Sequence, residues 1–470
     1  MTAGEAVATD AVAAAYHALL DGTAGERLAA DTHGALEAQL ARRGLVFGDR
    51  ALCTVLRPRF FTPRQYQGLA RQVAALMPAF DAAYRAAMGD AGVRAQLRLA
   101  EWEERLIAAD PSRGAALASP TSRIDTFVVD PAGDGGVAAL TEYNAEVPAG
   151  AAYNDALAEA FLDLPAMRAL ARQFHLLPLF AHHGVIDALL RAWQRWAGDA
   201  GGGAGARPRV AILDWDDVPT RSEFVLYQQR FAALGIEAVI ADPRSAERRG
   251  GRLWVDGAPV DLVYKRVLTA ELVERSGPEA ALFTAWQAGE VCLVNPPTCK
   301  LLHKKASLAV LSDERNAHLY DAAMHAAIRR MVPWTRVVEA RRTTHAGAEV
   351  DLLEHVRRDR ARFVLKPNDD YGGHGIVLGW TVDDAAWEDA LQRAVAEPYI
   401  VQERVEIPHE PYPSWVDGSV RVVDRMIDTA PFVTDAAAVD GVLTRLSTAA
   451  LLNVTAGGGS QVPSFVALPR

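Results

Sequence analysis

A chain of 470 residues is about three times the common domain size of roughly 150 residues, which excludes a single small module. Half of the residues are hydrophobic and 23% are charged, a balance that excludes an intrinsically disordered chain. Its 49 Lys and Arg against 59 Asp and Glu leave a formal charge of −10; without a compensating basic patch, nucleic acid is not expected as a partner. Cys53, Cys292 and Cys299 are too few for a disulfide framework and lack CxxC zinc spacing, which predicts a cytoplasmic location. The first twenty residues carry Glu5 and Asp10 but no Lys or Arg, unlike a secretory signal. The longest uncharged run, Leu446 to Pro469, is broken by Asn453, Gly457, Gly458, Gly459, Ser460 and Gln461, so no membrane span is expected.

Residues 1–118 repeat apolar side chains at three- and four-residue intervals and are predicted as a helical N-terminal region. Two strands follow between 119 and 150, SRIDTFVVD and VAALTEYNAEVP, joined by the turn-forming PAGDGG into a β-hairpin. A helical stretch is predicted from Asp155 to Trp196, and the flexible AGDAGGGAGARP marks a boundary near residue 205. From 206 to 300, RVAILDW, a helix from Arg221 to Leu234, EAVIAD and VDLVYKRV alternate as in a small α/β domain with a partly parallel sheet. Helices from Lys304 to Arg329 lead into strands ARFVLKP, GIVLGW, YIVQERV, PFVTD and VLTRLS, which make 301–470 an α+β region. No fixed repeat of 20–50 residues is evident, which disfavours a solenoid.

The sharpest feature is the segment Phe363 to Ile376, FVLKPNDDYGGHGI. One strand delivers Lys366 to its end, and a turn containing Gly372 and Gly373 leads into another strand. A Walker loop and a dinucleotide fingerprint both open a helix, so neither applies. Glycines between strands form either an ordinary hairpin turn or a flap whose backbone N–H groups, with Lys366, meet phosphate charge. On the early hairpin, Glu142 and Asn144 stand two apart and point the same way, so both oxygens can reach one hard cation such as Mg²⁺. Arg123 and Asp125 share a face likewise. The alternative for each is a surface charge on an exposed sheet face.

A lysine strand, a glycine flap and a hydrophobic strand ending in Gln402-Glu403 resemble, in that order, the nucleotide-binding half of an ATP-grasp enzyme. With Arg-x-Asp and Glu-x-Asn placed upstream and a small α/β domain between, residues 119–470 resemble circularly permuted ATP-grasp ligases, including glutathionylspermidine synthetase and eukaryotic glutathione synthetase. The resemblance implies Lys366 at the ATP phosphates and Gln402, Glu403 and Val405 at the adenine edge. It implies Arg123 near an acyl phosphate, and Asp125, Glu142, Asn144 and Asp370 on magnesium, with Asp369 a weaker substitute for Asp370. In His303-Lys304-Lys305, the second phosphate lysine is assigned to Lys305 over Lys304. Arg266 is assigned to a substrate carboxylate. Arg445 is assigned as the arginine ahead of a substrate-covering loop containing Gly457 and Gly458. The amidase domain that often accompanies glutathionylspermidine synthetase is not expected: Cys53 and His17 form no nucleophile motif.

The fold expected is therefore α/β and α+β, an ATP-grasp core in permuted order, divided as 1–118, 119–205, 206–300 and 301–470. The expected activity is an ADP-forming carboxylate–amine ligase using ATP and Mg²⁺ on small amino acids, peptides or polyamines. A small-molecule kinase using the same site, or a nucleotide-binding protein without turnover, are the alternatives. Neither the substrate pair nor the oligomeric state is legible.

Overall fold

The computed structural model describes residues 9–129, 136–199, 207–370, 373–448 and 459–470. The N-terminal region is organised by the long helix Pro63–Gly89. Thr62 caps it, accepting from the Gln65 N–H at 3.1 Å while its own N–H donates to Gln65 Oε1 at 2.9 Å, and Pro63 occupies the first turn where its missing N–H costs nothing. Leu69, Val73, Leu76, Met77, Phe80 and Tyr84 recur at helical spacing and are buried, each contributing about 1.5–3 kcal/mol. They pack against Ile124, Leu140 and Tyr143, the Phe80 and Tyr143 rings lying 4.3 Å apart. The helix thus backs the hairpin.

That hairpin pairs Thr121–Val129 with Val137–Asn144, and it forms the edge of a seven-stranded sheet. Thr121–Val129 pairs antiparallel with Ala430–Thr434, which pairs with Ala438–Ser447, then Ser419–Ile427 and His409–Val416, with Ser460–Val462 beside Ala438–Ser447. Strands from early and late in the chain therefore share one sheet, as a permuted order requires. A second, antiparallel sheet runs Thr335–Val337, Tyr399–Glu403, Phe363–Pro367, Val377–Leu378. Between them in sequence lies a parallel sheet in the order Cys292–Val294, Leu262–Lys265, Val210–Leu213, Ala238–Ala241, flanked by helix Arg221–Ala233.

Several element expectations need correction. The stretch 155–196 is not one helix but Ala151–Leu162, Pro165–Leu170, strand Phe174–Pro178 and His182–Asp199. Pro165 opens a new helix and Pro178 ends the strand, whose backbone pairs with Ser464–Pro469; proline tolerates a first turn or an edge but not a helix interior. The N-terminal region also holds strand Arg59–Phe61, parallel to the same C-terminal strand. GIVLGW contributes only Val377–Leu378 to a sheet. The hairpin turn 130–135, the linker 200–206, Gly372, and Asn453, Gly457 and Gly458 lie outside the described residues.

Candidate active site

The two-residue period of a strand puts Arg123 and Asp125 on one face, and antiparallel register sets Asn144 opposite Arg123 and Glu142 opposite Asp125. Asp125 is nearly saturated: its carboxylate accepts from Arg123 Nε at 2.7 Å and Nη2 at 3.0 Å, from Arg445 Nη2 at 2.7 Å, and from Asn144 Nδ2 at 3.0 Å. Burial alone would raise its pKa, but the two guanidiniums prevail and hold it well below the usual carboxylate range. Arg445 also binds Asp428, whose Oδ1 accepts the Arg445 backbone N–H at 2.8 Å and whose Oδ2 accepts Nε at 2.6 Å. Burial, with Asp125 adding repulsion against the pull of Arg445, pushes the Asp428 carboxyl up.

In the second, antiparallel sheet, Lys366 faces Ile400 and Val364 faces Gln402, so Lys366 and Gln402 are diagonal neighbours on one face. Lys366 Nζ donates to Gln402 Oε1 at 2.7 Å and to the Thr141 carbonyl at 3.0 Å, reaching the hairpin. Burial brings its pKa down to about 8; Glu142 opposes that fall and Lys305 adds to it. Gln402 in turn donates to Thr335 Oγ1 at 3.1 Å. Gly375, at φ +67°, turns the chain after the flap, and a Cβ there would come within 2.6 Å of Pro367 Cγ.

Asp125, Lys366, Gln402, Asp428 and Arg445 line one cleft of about 180 Å³ between the two sheets, whereas Arg123 and Asn144 are bonded to Asp125 and do not line it. Lys305, Lys366, Glu142, Asp125, Arg445 and Asp428 provide its charged side, Gly373, Gln402, Glu403 and Val405 its flap and hinge side, and Phe127, Val364, Ile376, Leu378, Trp380 and Ile407 its apolar walls. A cleft with apolar walls and with two lysines and an arginine among its charged groups suits a nucleotide. Lys305, just ahead of helix Ala306–Ser312, pairs with Glu142 Oε1 at 2.9 Å and donates to the Asp370 carbonyl at 2.6 Å. One ammonium thereby ties the early hairpin to the flap. Burial would raise the Glu142 pKa, but the Lys305 charge wins and lowers it.

Lys304 does not line this cleft; it is buried against Glu103 at 2.8 Å and Asp369 at 3.2 Å. Asp369 is likewise committed, accepting from Lys300 at 2.5 and 2.6 Å, so it does not substitute for Asp370. Two assigned residues are committed to protein partners. Arg266 is 3% exposed, bonded to Glu223 Oε2 at 3.0 Å, the Tyr264 hydroxyl at 2.9 Å and the Pro148 carbonyl at 3.3 Å. It belongs to the interior of the parallel-sheet unit and not to the cleft. Asp125, with two guanidiniums and an amide on its oxygens, is not a fit for magnesium. Asp428 is the residue sequence reasoning missed; its only signal is a carboxylate in the turn before PFVTD, 17 positions from Arg445. The apolar walls Phe127, Trp380 and Ile407 were also not singled out.

Comparison with known proteins adds family to geometry. Residues 128–447 match the sequence profile of the family described as circularly permuted ATP-grasp type 2. The chain is 26% identical over 473 aligned positions to "Putative glutamate--cysteine ligase 2-3" of Frankia alni, covering 93% of this chain and 50% of that protein. It is 25% identical over 346 positions to "Putative glutamate--cysteine ligase 2-2" of Frankia casuarinae, covering 70% and 37%. The chain thus spans about half or less of the length of these curated relatives. Among solved structures, a glutathione synthetase-like effector from Globodera pallida in its apo form shares the fold with a TM-score of 0.61 at 12% identity, covering 95% of this chain and 98% of that one. Profile, sheet order and cleft agree: the chain belongs to the circularly permuted ATP-grasp type 2 family.

Proposed function

We propose that this chain is an ATP-dependent, ADP-forming carboxylate–amine ligase acting on small amino-acid or peptide substrates. The observation that carries the reading is the single cleft in which Lys366 and Lys305 meet Glu142, Arg445 and Asp125 beside an apolar hinge pocket. The names of the Frankia relatives point to an amino-acid carboxylate and an amino-acid amine as the substrate class. No helix among the described residues is long and apolar enough to cross a membrane. The three cysteines are buried and unpaired, as suits the cytoplasmic location included in this reading.

Lys366 and Lys305 meet phosphate charge already present in bound ATP, while Gln402 holds the Lys366 ammonium in place. Glu403 and Val405 flank the base. A substrate carboxylate oxygen attacks the γ-phosphorus, the bond to the ADP oxygen breaks, and an acyl phosphate forms. The amine nitrogen then adds to the acyl carbon, loses a proton, and inorganic phosphate departs with the bonding pair. Arg445, which lines the cleft and is locked by Asp125 and Asp428, presents fixed positive charge where negative charge grows, so little reorganisation is needed at reaction; Arg123, bonded to Asp125 and the Ala149 carbonyl, acts through Asp125 and not on the reacting groups.

Magnesium fits part of this donor set. Glu142 lines the cleft with a cation, Lys305, as its charge partner; Asn144 gives its amide nitrogen to Asp125, which leaves amide-oxygen chemistry for a cation; the Asp370 backbone carbonyl shares Lys305 with Glu142. Among the described residues no group of three His, Cys, Asp or Glu forms a ready metal cage. Glu142, Asn144 and Asp370 would therefore hold magnesium together with phosphate oxygens, as this ion prefers. The ion would supply charge neutralisation of the triphosphate.

A screen for ADP release with Mg-ATP and pairs of amino acids, glutamate with cysteine among them, tests the reading when products are resolved by mass. An amide product is expected. A phosphorylated product without an amide would establish the kinase alternative, and nucleotide binding without ADP release would establish the non-catalytic one.

A further inference from the structure

The family profile begins at residue 128, yet the N-terminal helices reach the base of the flap. Helix Glu101–Ala108 carries Glu103, which is 1% exposed. Its Oε2 accepts the Ala100 N–H at 2.6 Å and lies 2.8 Å from Lys304 Nζ, while its Oε1 is 3.7 Å from Lys300 Nζ. Both lysines hold Asp369. Lys300 also meets Glu146 at 3.3 Å, and Glu146 meets Lys265 at 3.0 Å. Three ammoniums, on Lys265, Lys300 and Lys304, are thus matched by three carboxylates, on Glu103, Glu146 and Asp369. A second tie is neutral: Asn368 Nδ2 donates to the Leu97 carbonyl at 2.8 Å, its Oδ1 accepts the Ala306 N–H at 2.8 Å, and its backbone carbonyl accepts the Lys305 N–H at 2.9 Å.

We propose that Glu103 is a positioning residue for nucleotide binding: through Lys300 and Lys304 it fixes Asp369, and with it the adjoining Asp370 and the Lys305 ammonium. This deepens the ATP-dependent reading of the cleft and rests on it. A purely structural ion pair would matter only for folding. Here the chain of contacts ends one residue from the Asp370 carbonyl that holds Lys305, so charge imbalance at Glu103 is transmitted to the phosphate end of the cleft. Losing one partner leaves a buried, uncompensated charge, which the nearest mobile carboxylate must answer. That carboxylate is Asp369, the most exposed of the three.

The test is calorimetric affinity of the full chain for Mg²⁺ with a non-hydrolysable ATP analogue, alongside the thermal midpoint. Glu103→Gln keeps an acceptor for the Ala100 N–H and removes the charge; it is expected to weaken binding about tenfold. Glu103→Gln combined with Lys304→Gln restores the charge balance and is expected to return most of the affinity, which a structural role would not do. Glu101→Gln, on the exposed side of the same helix, is expected to bind as the unaltered chain does. Affinity within about twofold of the unaltered chain for folded Glu103→Gln, or no recovery in the double variant, overturns the proposal. If Glu103→Gln does not fold, Lys304→Gln alone carries the test, and unchanged affinity there overturns it equally. Failure of the unaltered chain to bind Mg-ATP would instead overturn the ligase reading on which the proposal rests.

Discussion

Asp125 and Glu142 sit directly opposite one another on paired strands, yet their carboxylates belong to different cations, Asp125 to Arg123 and Arg445, Glu142 to Lys305. The hairpin therefore has a rigid side, locked between guanidiniums, and an adaptable side facing Lys305. Half-buried Glu142 is held by one ammonium, Lys305, at 2.9 Å. Asp125 cannot exchange without abandoning four hydrogen bonds.

Arg445 is expected to be a stability residue as well as a candidate for charge stabilisation. Arg445→Met leaves Asp428 without its cation and Asp125 with one fewer, both within the sheet interior. A loss of about 3–5 kcal/mol in urea unfolding is expected. Asp428→Asn should cost much less, because a carboxyl already pushed up by burial surrenders little when neutralised. Equal losses in the two variants would contradict the described division of charge. On the acid side, the depressed Asp125 contributes stability that is present above its ordinary 3.8 and lost as pH falls toward its folded value.

Lys366 makes the nucleotide step sensitive to alkali. Its pKa of about 8 means the ammonium that meets phosphate is lost as pH rises through that value. The ratio kcat/KM for ATP should fall about tenfold per pH unit above pH 8, and Lys366→Arg should abolish the inflection. The stability sign is opposite. Between about 8 and the ordinary 10.5 the unfolded lysine binds more protons than the folded one, so the cost of burying its charge is full below pH 8 and relieved as pH climbs.

Removing the Glu142 carboxylate should separate chemistry from binding. Glu142→Gln is expected to lower kcat by about 10²-fold, the scale of losing one preorganised electrostatic group, with ATP affinity in the absence of metal nearly unchanged. Lys305→Met should raise KM for ATP instead. Titration of magnesium against both variants checks this: only Glu142→Gln should require more metal for half-maximal rate.

The turn after the flap has no room for a side chain. Gly375→Ala places a Cβ at 2.6 Å from Pro367 Cγ and at φ +67°, an arrangement costing about 1–2 kcal/mol or more for an L residue. The strand carrying Lys366 ends at that proline, so KM for ATP should rise several-fold and the urea midpoint should fall with it. A normal KM would show that the flap tolerates the displacement.

How far the sequence carries depends on the range of each signal. The Lys366 strand and the shared face of Glu142 and Asn144 were legible because a two-residue period and a local turn chemistry determine them; the permuted order was read from resemblance. Choosing Lys305 over Lys304 rested on resemblance; of the two, Lys305 lines the cleft and pairs with Glu142. The partner of Arg266 was not legible because a strand-end arginine looks alike whether it meets a substrate or Glu223, 43 positions away on helix Arg221–Ala233. Asp428 and Glu103 were invisible for a similar reason: each gains meaning only from partners that the fold brings together. The strand Phe174–Pro178 was hidden inside helical composition, because its pairing partner arrives almost 300 residues later.

The edge position of the hairpin has a consequence during synthesis. Strand Thr121–Val129 is complete long before Ala430–Thr434, its neighbour in the sheet, and roughly 290 residues separate the hairpin from that neighbour, about 15–60 s at ribosomal rates. Through that interval the nascent chain presents an unpaired strand edge with Ile124, Phe127, Val128 and Val129 on it, the kind of surface that recruits foreign strands. Arg123 and Asp125 interrupt the run, so the charges later buried at the site first serve to keep the growing chain from associating. Translation stopped before residue 430 should accordingly yield an aggregation-prone product, since the stalled chain has no means of closing its own sheet.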